Sequence, residues 1–128
     1  MARNELLVEV RVPKPVKPTG SAFIKIARVA MDLAKVNIAV ALRMSDGIVE
    51  DVKVALGSVA PTPMRAYRTE EFLKGKELTE DIMWGAAKIV RTEVKPITDI
   101  RSTAEYRREV SGVILVDALR KAMERLGR

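Results

Sequence analysis

The chain has 128 residues, of which 48% are hydrophobic and 31% charged, and it carries a net charge of +6, a balance that suits one domain with one core. The absence of cysteine excludes disulfides, thiolate metal sites and cysteine nucleophiles, and the absence of histidine excludes a serine–histidine–acid triad. We therefore expect no catalytic and no metal-binding residues, and a module that holds or serves another component.

The first predicted element is a half-buried strand over Glu5–Val12, because apolar and polar residues alternate there. Prolines at positions 13, 15 and 18 then predict a stiff, extended connector that ends at Gly20. We assign residues 1–20 to this N-terminal strand and proline-rich connector. Residues 21–128 are assigned to a single domain.

The domain is predicted to begin with a small antiparallel sheet of about three strands. Ser21–Arg28 alternates weakly and is either a strand or irregular. Val36–Met44 and Ile48–Leu56 are rich in β-branched residues, and the Ser45-Asp46-Gly47 sequence between them is typical of a hairpin turn. We therefore expect these two segments to pair as a hairpin.

Pro61 and Pro63 fix their φ angles and donate no hydrogen bond, so the sheet must end and the helices begin near them. Three helices are predicted after these prolines. The last of them is apolar on more than one face between Val110 and Leu119, so we expect it to be the central helix of the three. The fold class is α+β, a three-stranded antiparallel sheet packed with a three-helix bundle. The predicted helices are Arg65–Lys74, ended by Gly75; Thr79 to about Val94, capped by Thr79; and Ser102 to about Leu126, capped by Ser102 with Glu105 at the third helical position.

Most side chains that could carry chemistry have a structural interpretation. Adjacent acids such as Glu50-Asp51 point to different sides of an element, so they do not form a catalytic dyad. Trp84 is predicted in the core. Arg107 is predicted to have a structural role, in an ion pair with Glu105 or Glu109 or with a partner subunit.

The positive charge is concentrated between Arg11 and Lys35, where six basic residues and one acid give a net charge of +5. This segment suits a planar, phosphate-bearing cofactor, with an aromatic ring on the cofactor ring and a lysine on an oxygen or phosphate. A solvated basic face explains the charge equally well, and a solvated sheet edge is the commoner explanation for such a group of residues. Nucleic acid is disfavoured because Phe23 is the only aromatic residue in the segment. The candidate cofactor-binding residues are Phe23, Lys25, Arg28, Asp32 and Lys35.

No segment suggests a membrane protein or a secreted one. The longest apolar runs, Ile38–Leu42 and Val113–Val116, are far shorter than the roughly 20 residues that span a bilayer. The N-terminus has no apolar stretch typical of a secretory signal. We therefore expect no membrane span and a cytoplasmic protein, with which the absence of cysteine agrees.

Five segments, in order along the chain, are similar to one family. Together they resemble the C-terminal domain of the FAD-binding (medium) subunit of molybdenum hydroxylases, a group that includes aerobic carbon monoxide dehydrogenase, xanthine dehydrogenase and related aldehyde-oxidising enzymes. The resemblance covers nearly the whole chain and implies the same fold as the pattern does. The segments are Glu9–Pro13, Gly20–Lys25, Ala30–Ala41, Ala55–Ala66 and Ser102–Arg108.

The resemblance implies a place in an electron relay, in which a molybdopterin subunit oxidises substrate, iron–sulfur clusters carry the electrons, and FAD passes them to an acceptor. It also implies that Phe23–Lys35 lies against the flavin. Lys25 matches a lysine that contacts FAD, and Asp32 matches an acid near the isoalloxazine. Phe23 stands where many members have tyrosine, so the ring can pack on flavin without the hydroxyl hydrogen bond.

The family's glycine-rich pyrophosphate loops belong to regions that precede this domain, and nothing in this chain replaces them. The expected partners are therefore an FAD-binding N-terminal region or chain, an iron–sulfur subunit and a molybdopterin subunit. We expect the chain to be part of an oxidoreductase without catalytic activity in isolation. The alternative is a stand-alone assembly or binding module that kept the fold and lost the flavin site.

Overall fold

The computed structural model describes residues 2–15 and 17–127. A sheet of four antiparallel strands packs against three helices, which confirms the predicted α+β class and adds one short strand. None of the helices in these residues is long and apolar enough to cross a bilayer. In chain order the elements are β1 (Gly20–Ile26), β2 (Val36–Ser45), β3 (Ile48–Gly57), β4 (Met64–Arg65), α1 (Tyr67–Leu73), α2 (Glu80–Glu93) and α3 (Ala104–Leu126).

The strands lie in the order β1-β2-β3-β4, and β2 and β3 form the predicted hairpin. Asp46 and Gly47 form its turn with φ angles of 51° and 79°, the two positive values that a type I′ turn requires. Beyond the two prolines the chain runs back beside β3 for two residues as β4. The first helix therefore begins at Tyr67 and not at Arg65 as predicted.

A bulge interrupts the ladder between β2 and β3, because the pairing passes from Asp51 to Val49 and leaves Glu50 out. Val49 and Val52 are both buried although they are three residues apart, a spacing that would put them on opposite faces of a regular strand. The bulge thus keeps both valines in the core and leaves Glu50 at the surface.

Helix α1 ends, and helix α2 begins, close to the predicted residues. Gly75 follows α1 with a φ angle of +75°, as expected for the residue after a helix C-cap. Thr79 caps α2, and its hydroxyl accepts a hydrogen bond from the N–H of Ile82 at 3.4 Å. Both signals are local in sequence, and both are confirmed.

The predicted cap of α3 is wrong by one residue. Thr103 is the N-cap, and its hydroxyl accepts from the N–H of Tyr106 at 3.2 Å. Ser102 is held instead in a turn, where its N–H donates to the Asp99 carboxylate at 3.2 Å. Because this turn occupies the Ser102 backbone, the helix starts one residue later.

The central helix of the three is α2, not α3 as predicted. Helix α2 packs against both α1 and α3, whereas α3 packs against α2 and against strands β1 and β2. The two apolar faces of α3 are therefore explained by one helix and one sheet. Trp84 of α2 is 41% exposed and not in the core, because the buried face of α2 runs through Met83, Ala87 and Val90.

The predicted strand Glu5–Val12 is not formed within the described residues. Its apolar side chains are exposed, Leu6 by 83% and Val12 by 85%. An alternating segment becomes a strand only where a neighbour supplies hydrogen bonds and an apolar surface, and the described part of this chain supplies neither. The division at residue 20 stays a prediction.

Candidate functional site

The open face of the sheet, which points away from the helices, carries the first candidate residue. Phe23 of β1 is 60% exposed and alternates with inward-facing neighbours. It lies opposite Ala39 of β2, which lies opposite Ala55 of β3, which lies opposite Arg65 of β4. Two alanines therefore form a shallow floor between an aromatic ring and an arginine.

This floor is part of a groove of about 520 Å³. Arg65 is fixed at its wall by a bidentate ion pair with Glu70, at 2.7 Å from Nε to Oε1 and 2.6 Å from Nη2 to Oε2. These hydrogen bonds raise the pKa of Arg65, so the guanidinium stays charged. Sequence reasoning missed this groove, although small residues at the outward positions 39, 41 and 55 were a visible signal. Its lining includes Ser21, Phe23, Ala39, Ala41, Lys53, Ala55, Arg65 and Arg125.

Lys25 points to the loop that joins β1 to β2, residues 27–35. Its ammonium donates to the carbonyl oxygen of Ala30 at 2.7 Å and to that of Asp32 at 3.1 Å. The backbone of the loop is closed by Lys35, whose N–H donates to the carbonyl of Ile26 at 2.8 Å. Lys25 therefore holds the shape of this loop.

Arg28 and Asp32 form an ion pair across the same loop, with 2.7 Å between Nε and Oδ2. The other carboxylate oxygen of Asp32 accepts from the N–H of Leu33 at 2.9 Å. The pair lowers the pKa of Asp32, chiefly through the Arg28 hydrogen bond, and raises the pKa of Arg28. Both groups are therefore charged at neutral pH, and the pair is neutral as a unit.

Lys35 turns away from the other candidate residues. Its ammonium lies 5.7 Å from the centre of the Tyr106 ring, in the first turn of α3. The structure thus brings Lys25, Arg28 and Asp32 together at one loop. It places Phe23 in the neighbouring groove and Lys35 at the base of the loop.

The loop also exposes apolar side chains that the sequence reasoning did not single out. Val29 is 66% exposed, Met31 97% and Leu33 64%. A small cavity of about 250 Å³ lies between Leu33 of the loop and two arginines, Arg101 just before α3 and Arg107 within it. A hydrogen-bonded loop that presents apolar side chains to solvent is typical of a binding surface.

A comparison with protein families identifies the domain: the model of the CO dehydrogenase flavoprotein C-terminal domain matches residues 21–122. The chain belongs to this family. The resemblance seen in the sequence is thereby confirmed.

Relatives of known name agree with this flavoprotein C-terminal domain. The carbon monoxide dehydrogenase medium chain of Hydrogenophaga pseudoflava is 34% identical over 125 residues, which cover 98% of this chain and 44% of that protein. The glyceraldehyde dehydrogenase medium chain of Sulfolobus acidocaldarius is 31% identical over 93% of this chain and 42% of its own length. The chain therefore spans about two fifths of the relatives that it matches.

Solved structures share the fold of this flavoprotein domain. Carbon monoxide dehydrogenase from Hydrogenophaga pseudoflava, in the form that lacks the Mo-pyranopterin moiety, superposes with a TM-score of 0.85 at 35% identity, over 89% of this chain and 40% of the other. Quinoline 2-oxidoreductase from Pseudomonas putida 86 superposes with a TM-score of 0.79 at 27% identity, over 88% of this chain and 40% of the other.

Proposed function

We propose that this chain is the C-terminal domain of the flavoprotein subunit of a molybdenum-hydroxylase-type oxidoreductase. The observation that carries the proposal is the family match over residues 21–122. Medium chains of carbon monoxide and glyceraldehyde dehydrogenases support it. Because the chain spans about two fifths of those proteins, it serves the reaction as one wall of a cofactor site and does not carry out the reaction alone.

The groove and the loop fit the ring end of FAD. Phe23 offers a half-exposed aromatic face beside the flat floor of Ala39 and Ala55, which suits a planar ring system. Lys53 and Arg125 also line the groove and suit the electron-rich oxygens of such a ring, whereas the charge of Arg65 is offset by Glu70. The residues present therefore fit a surface that covers a flavin.

The pyrophosphate of FAD needs a cradle of backbone N–H groups, usually rich in glycine. Among the described residues, the glycines with positive φ are Gly47, in the hairpin turn, and Gly75, after α1. Neither adjoins the candidate residues in sequence. We infer that the FAD-binding part of the flavoprotein subunit holds the pyrophosphate, and that this domain closes over the ring.

Bound FAD supplies the passage of electrons from iron–sulfur clusters to an acceptor. The contribution of this chain is positional. Lys25 holds the backbone of the loop at Ala30 and Asp32, and the Arg28–Asp32 pair stiffens it. The loop can then present Met31 and Leu33 to the cofactor site and exclude water from it.

The proposal includes partners of three kinds: the FAD-binding region, an iron–sulfur subunit and a molybdopterin subunit. The proposed cofactor-binding residues are Phe23, Lys25, Arg28, Asp32 and Lys35, of which Lys35 contributes from the base of the loop, where it lies over Tyr106. A reducing cytoplasm is the proposed compartment, since the chain has no cysteine to oxidise.

A test compares flavin retention in the assembled flavoprotein subunit. In Lys25→Met the ammonium that holds two carbonyl groups is lost, so we expect the Kd for FAD to rise roughly tenfold. Asp32→Asn, which loses the charge that pairs with Arg28, should also weaken retention and slow electron transfer to the acceptor. Flavin absorbance after dialysis measures the first effect, and stopped-flow reoxidation of the reduced flavin by the acceptor measures the second.

Lys88→Met is the matched control, because Lys88 is exposed on α2 and should leave flavin content unchanged. Thermal unfolding of each isolated variant shows whether the domain is intact. If both loop variants bind FAD and transfer electrons like the wild type, the flavin role is wrong and the module without a redox role is favoured.

A further inference from the structure

Residues 5–12 form an arm whose sequence and environment disagree. The sequence alternates as a half-buried strand does, but the arm belongs to no strand of the described residues. A run of apolar side chains of this kind in contact with water is unusual in a folded protein. The exposed fractions are 83% for Leu6, 67% for Leu7, 84% for Val8, 75% for Val10 and 85% for Val12.

The arm has a sequence that would give a strand two different faces. Arg11 and Glu9 form an ion pair at 2.7 Å, and residues two apart lie on the same side of an extended chain. This pair marks a polar face. Leu6, Val8 and Val10 alternate with it and mark an apolar face.

The backbone of the arm is free to pair. No backbone N–H or carbonyl of residues 6–12 takes part in the hydrogen bonds recorded for residues 2–15 and 17–127. An extended segment with unpaired backbone groups and one apolar face has the properties that strand addition to another sheet requires.

The base of the arm is anchored to the domain. Lys17 of the connector pairs with Glu50 at 2.6 Å, so the bulged residue of β3 receives the connector. A cavity of about 560 Å³ is lined on one side by Val12–Pro15, Lys17 and Thr19 and on the other by Arg43 and Lys53 of the open sheet face. The arm therefore leaves from the same face as the proposed flavin surface.

The relatives indicate what the arm pairs with. The match to the Hydrogenophaga pseudoflava medium chain spans 98% of this chain and so includes residues 5–12, whereas the C-terminal domain model begins at residue 21. The arm is thus shared with the longer flavoproteins and lies outside the C-terminal domain. More than half of the length of those proteins lies outside the match.

We propose that residues 5–12 form a strand that adds to the edge of a sheet in the FAD-binding part of the flavoprotein subunit, with Leu6, Val8 and Val10 buried and Glu9 and Arg11 outward. This inference rests on the proposed function for the identity of the partner. The strand fastens the two parts, so that the open face is held over the flavin.

The test uses this chain assembled with the FAD-binding part. Amide hydrogens of residues 6–12 should exchange rapidly in the chain alone and roughly 100-fold or more slowly in the assembly. Val8→Asp with Val10→Asp places two charges on the apolar face, and we expect it to weaken assembly by roughly 100-fold or more. Glu9→Gln with Arg11→Gln changes the polar face of the same arm and should assemble like the wild type.

Both double variants should unfold at the wild-type temperature as isolated chains, because the arm makes no core contact. If residues 6–12 stay unprotected in an assembly that retains flavin, the strand is wrong and the proposed function stands. If they are protected while the Lys25 and Asp32 variants leave FAD and electron transfer unchanged, the strand stands and the proposed function fails. If the wild-type chain and the FAD-binding part do not assemble, both fail.

Discussion

Arg107 is buried, with 5% of its surface exposed, and its guanidinium joins distant parts of the chain. Its Nη1 donates to the carbonyl of Ser58 at 3.1 Å, and its Nη2 donates to the Asp99 carboxylate at 2.6 Å. The predicted structural role is therefore confirmed, but the partner is neither Glu105 nor Glu109. Sequence reasoning considered partners that are near in the sequence, whereas Asp99 comes from the loop before the helix.

Three hydrogen-bond donors hold Asp99 in its charged form. The N–H of Arg101, the Arg107 guanidinium and the N–H of Ser102 all donate to its carboxylate, and they lower its pKa to about 2. The charged form is therefore stabilised by folding. This contribution is complete above the ordinary carboxyl pKa and is lost as the pH falls through about 4 toward about 2.

We expect the urea midpoint of the wild type to fall more steeply between pH 4 and pH 2 than that of Asp99→Asn. The variant keeps an acceptor oxygen but has no carboxylate to protonate, so it should be less stable at neutral pH and lose less on acidification. Asp46→Asn, in the exposed hairpin turn, controls for the change in net charge. Parallel curves for wild type and Asp99→Asn below pH 4 would contradict the assignment.

At the scale of elements, β1 and α3 approach each other closely at one glycine. A Cβ atom on Gly20 would clash with the carbonyl oxygen of Ala122 and would lie 2.8 Å from Cγ of Leu126. The first contact is with helix backbone, which cannot move aside as a flexible side chain can. The absence of a side chain at position 20 is thus what lets the sheet and the helix pack.

Gly20→Ala should therefore destabilise the domain by roughly 2 kcal/mol or more, because α3 must shift away from β1. Gly127→Ala is the control. Within residues 2–15 and 17–127 a Cβ there meets nothing closer than 3.9 Å, so the substitution should change the free energy of unfolding by less than about 0.5 kcal/mol. Chemical denaturation of both variants measures the difference. Equal stability of Gly20→Ala and the wild type would show that the contact is not tight.

Helix α1 shows why some element boundaries escape local reasoning. Its N-cap residue, Ala66, offers no side-chain acceptor. Glu93, at the end of α2, accepts from the N–H of Arg68 at 2.9 Å and of Thr69 at 3.0 Å. The cap is thus supplied by a carboxylate 24 residues away in sequence, which also suits the positive end of the helix dipole.

At the scale of the whole molecule, the candidate residues form an exposed surface and not an enclosed site. Phe23 is 60% exposed, and Met31 of the adjoining loop is 97% exposed. We expect that the isolated chain does not bind FAD tightly, because an open wall can desolvate only one side of the ring. Titration of the isolated chain with FAD, followed by flavin fluorescence, measures this. A tight one-to-one complex would contradict it.

The candidate site was predicted in part. Charge and spacing selected Phe23, Lys25, Arg28, Asp32 and Lys35, and the structure brings three of them, Lys25, Arg28 and Asp32, together at one loop. Lys25, however, bonds backbone carbonyls of its own loop, and Lys35 approaches Tyr106 of α3. Charge and spacing identify residues that can meet a ligand, but they do not show which of them are already occupied by other parts of the chain.

The amino-acid sequence by itself determined the class of the fold, the hairpin turn at Asp46-Gly47, the end of α1, the start of α2, and the family. The fold features depend on alternation, capping and φ preferences, which act over a few residues, and the family depends on five segments that follow in order along the chain. The tertiary structure alone decided the Glu93 cap, the position of α2 between the other helices, and the Arg107 contact with Ser58, 49 residues away. Such contacts depend on how elements pack in space, and no local pattern encodes them. The arm at residues 5–12 belongs to both: its pattern predicts a strand, and only a partner can complete it.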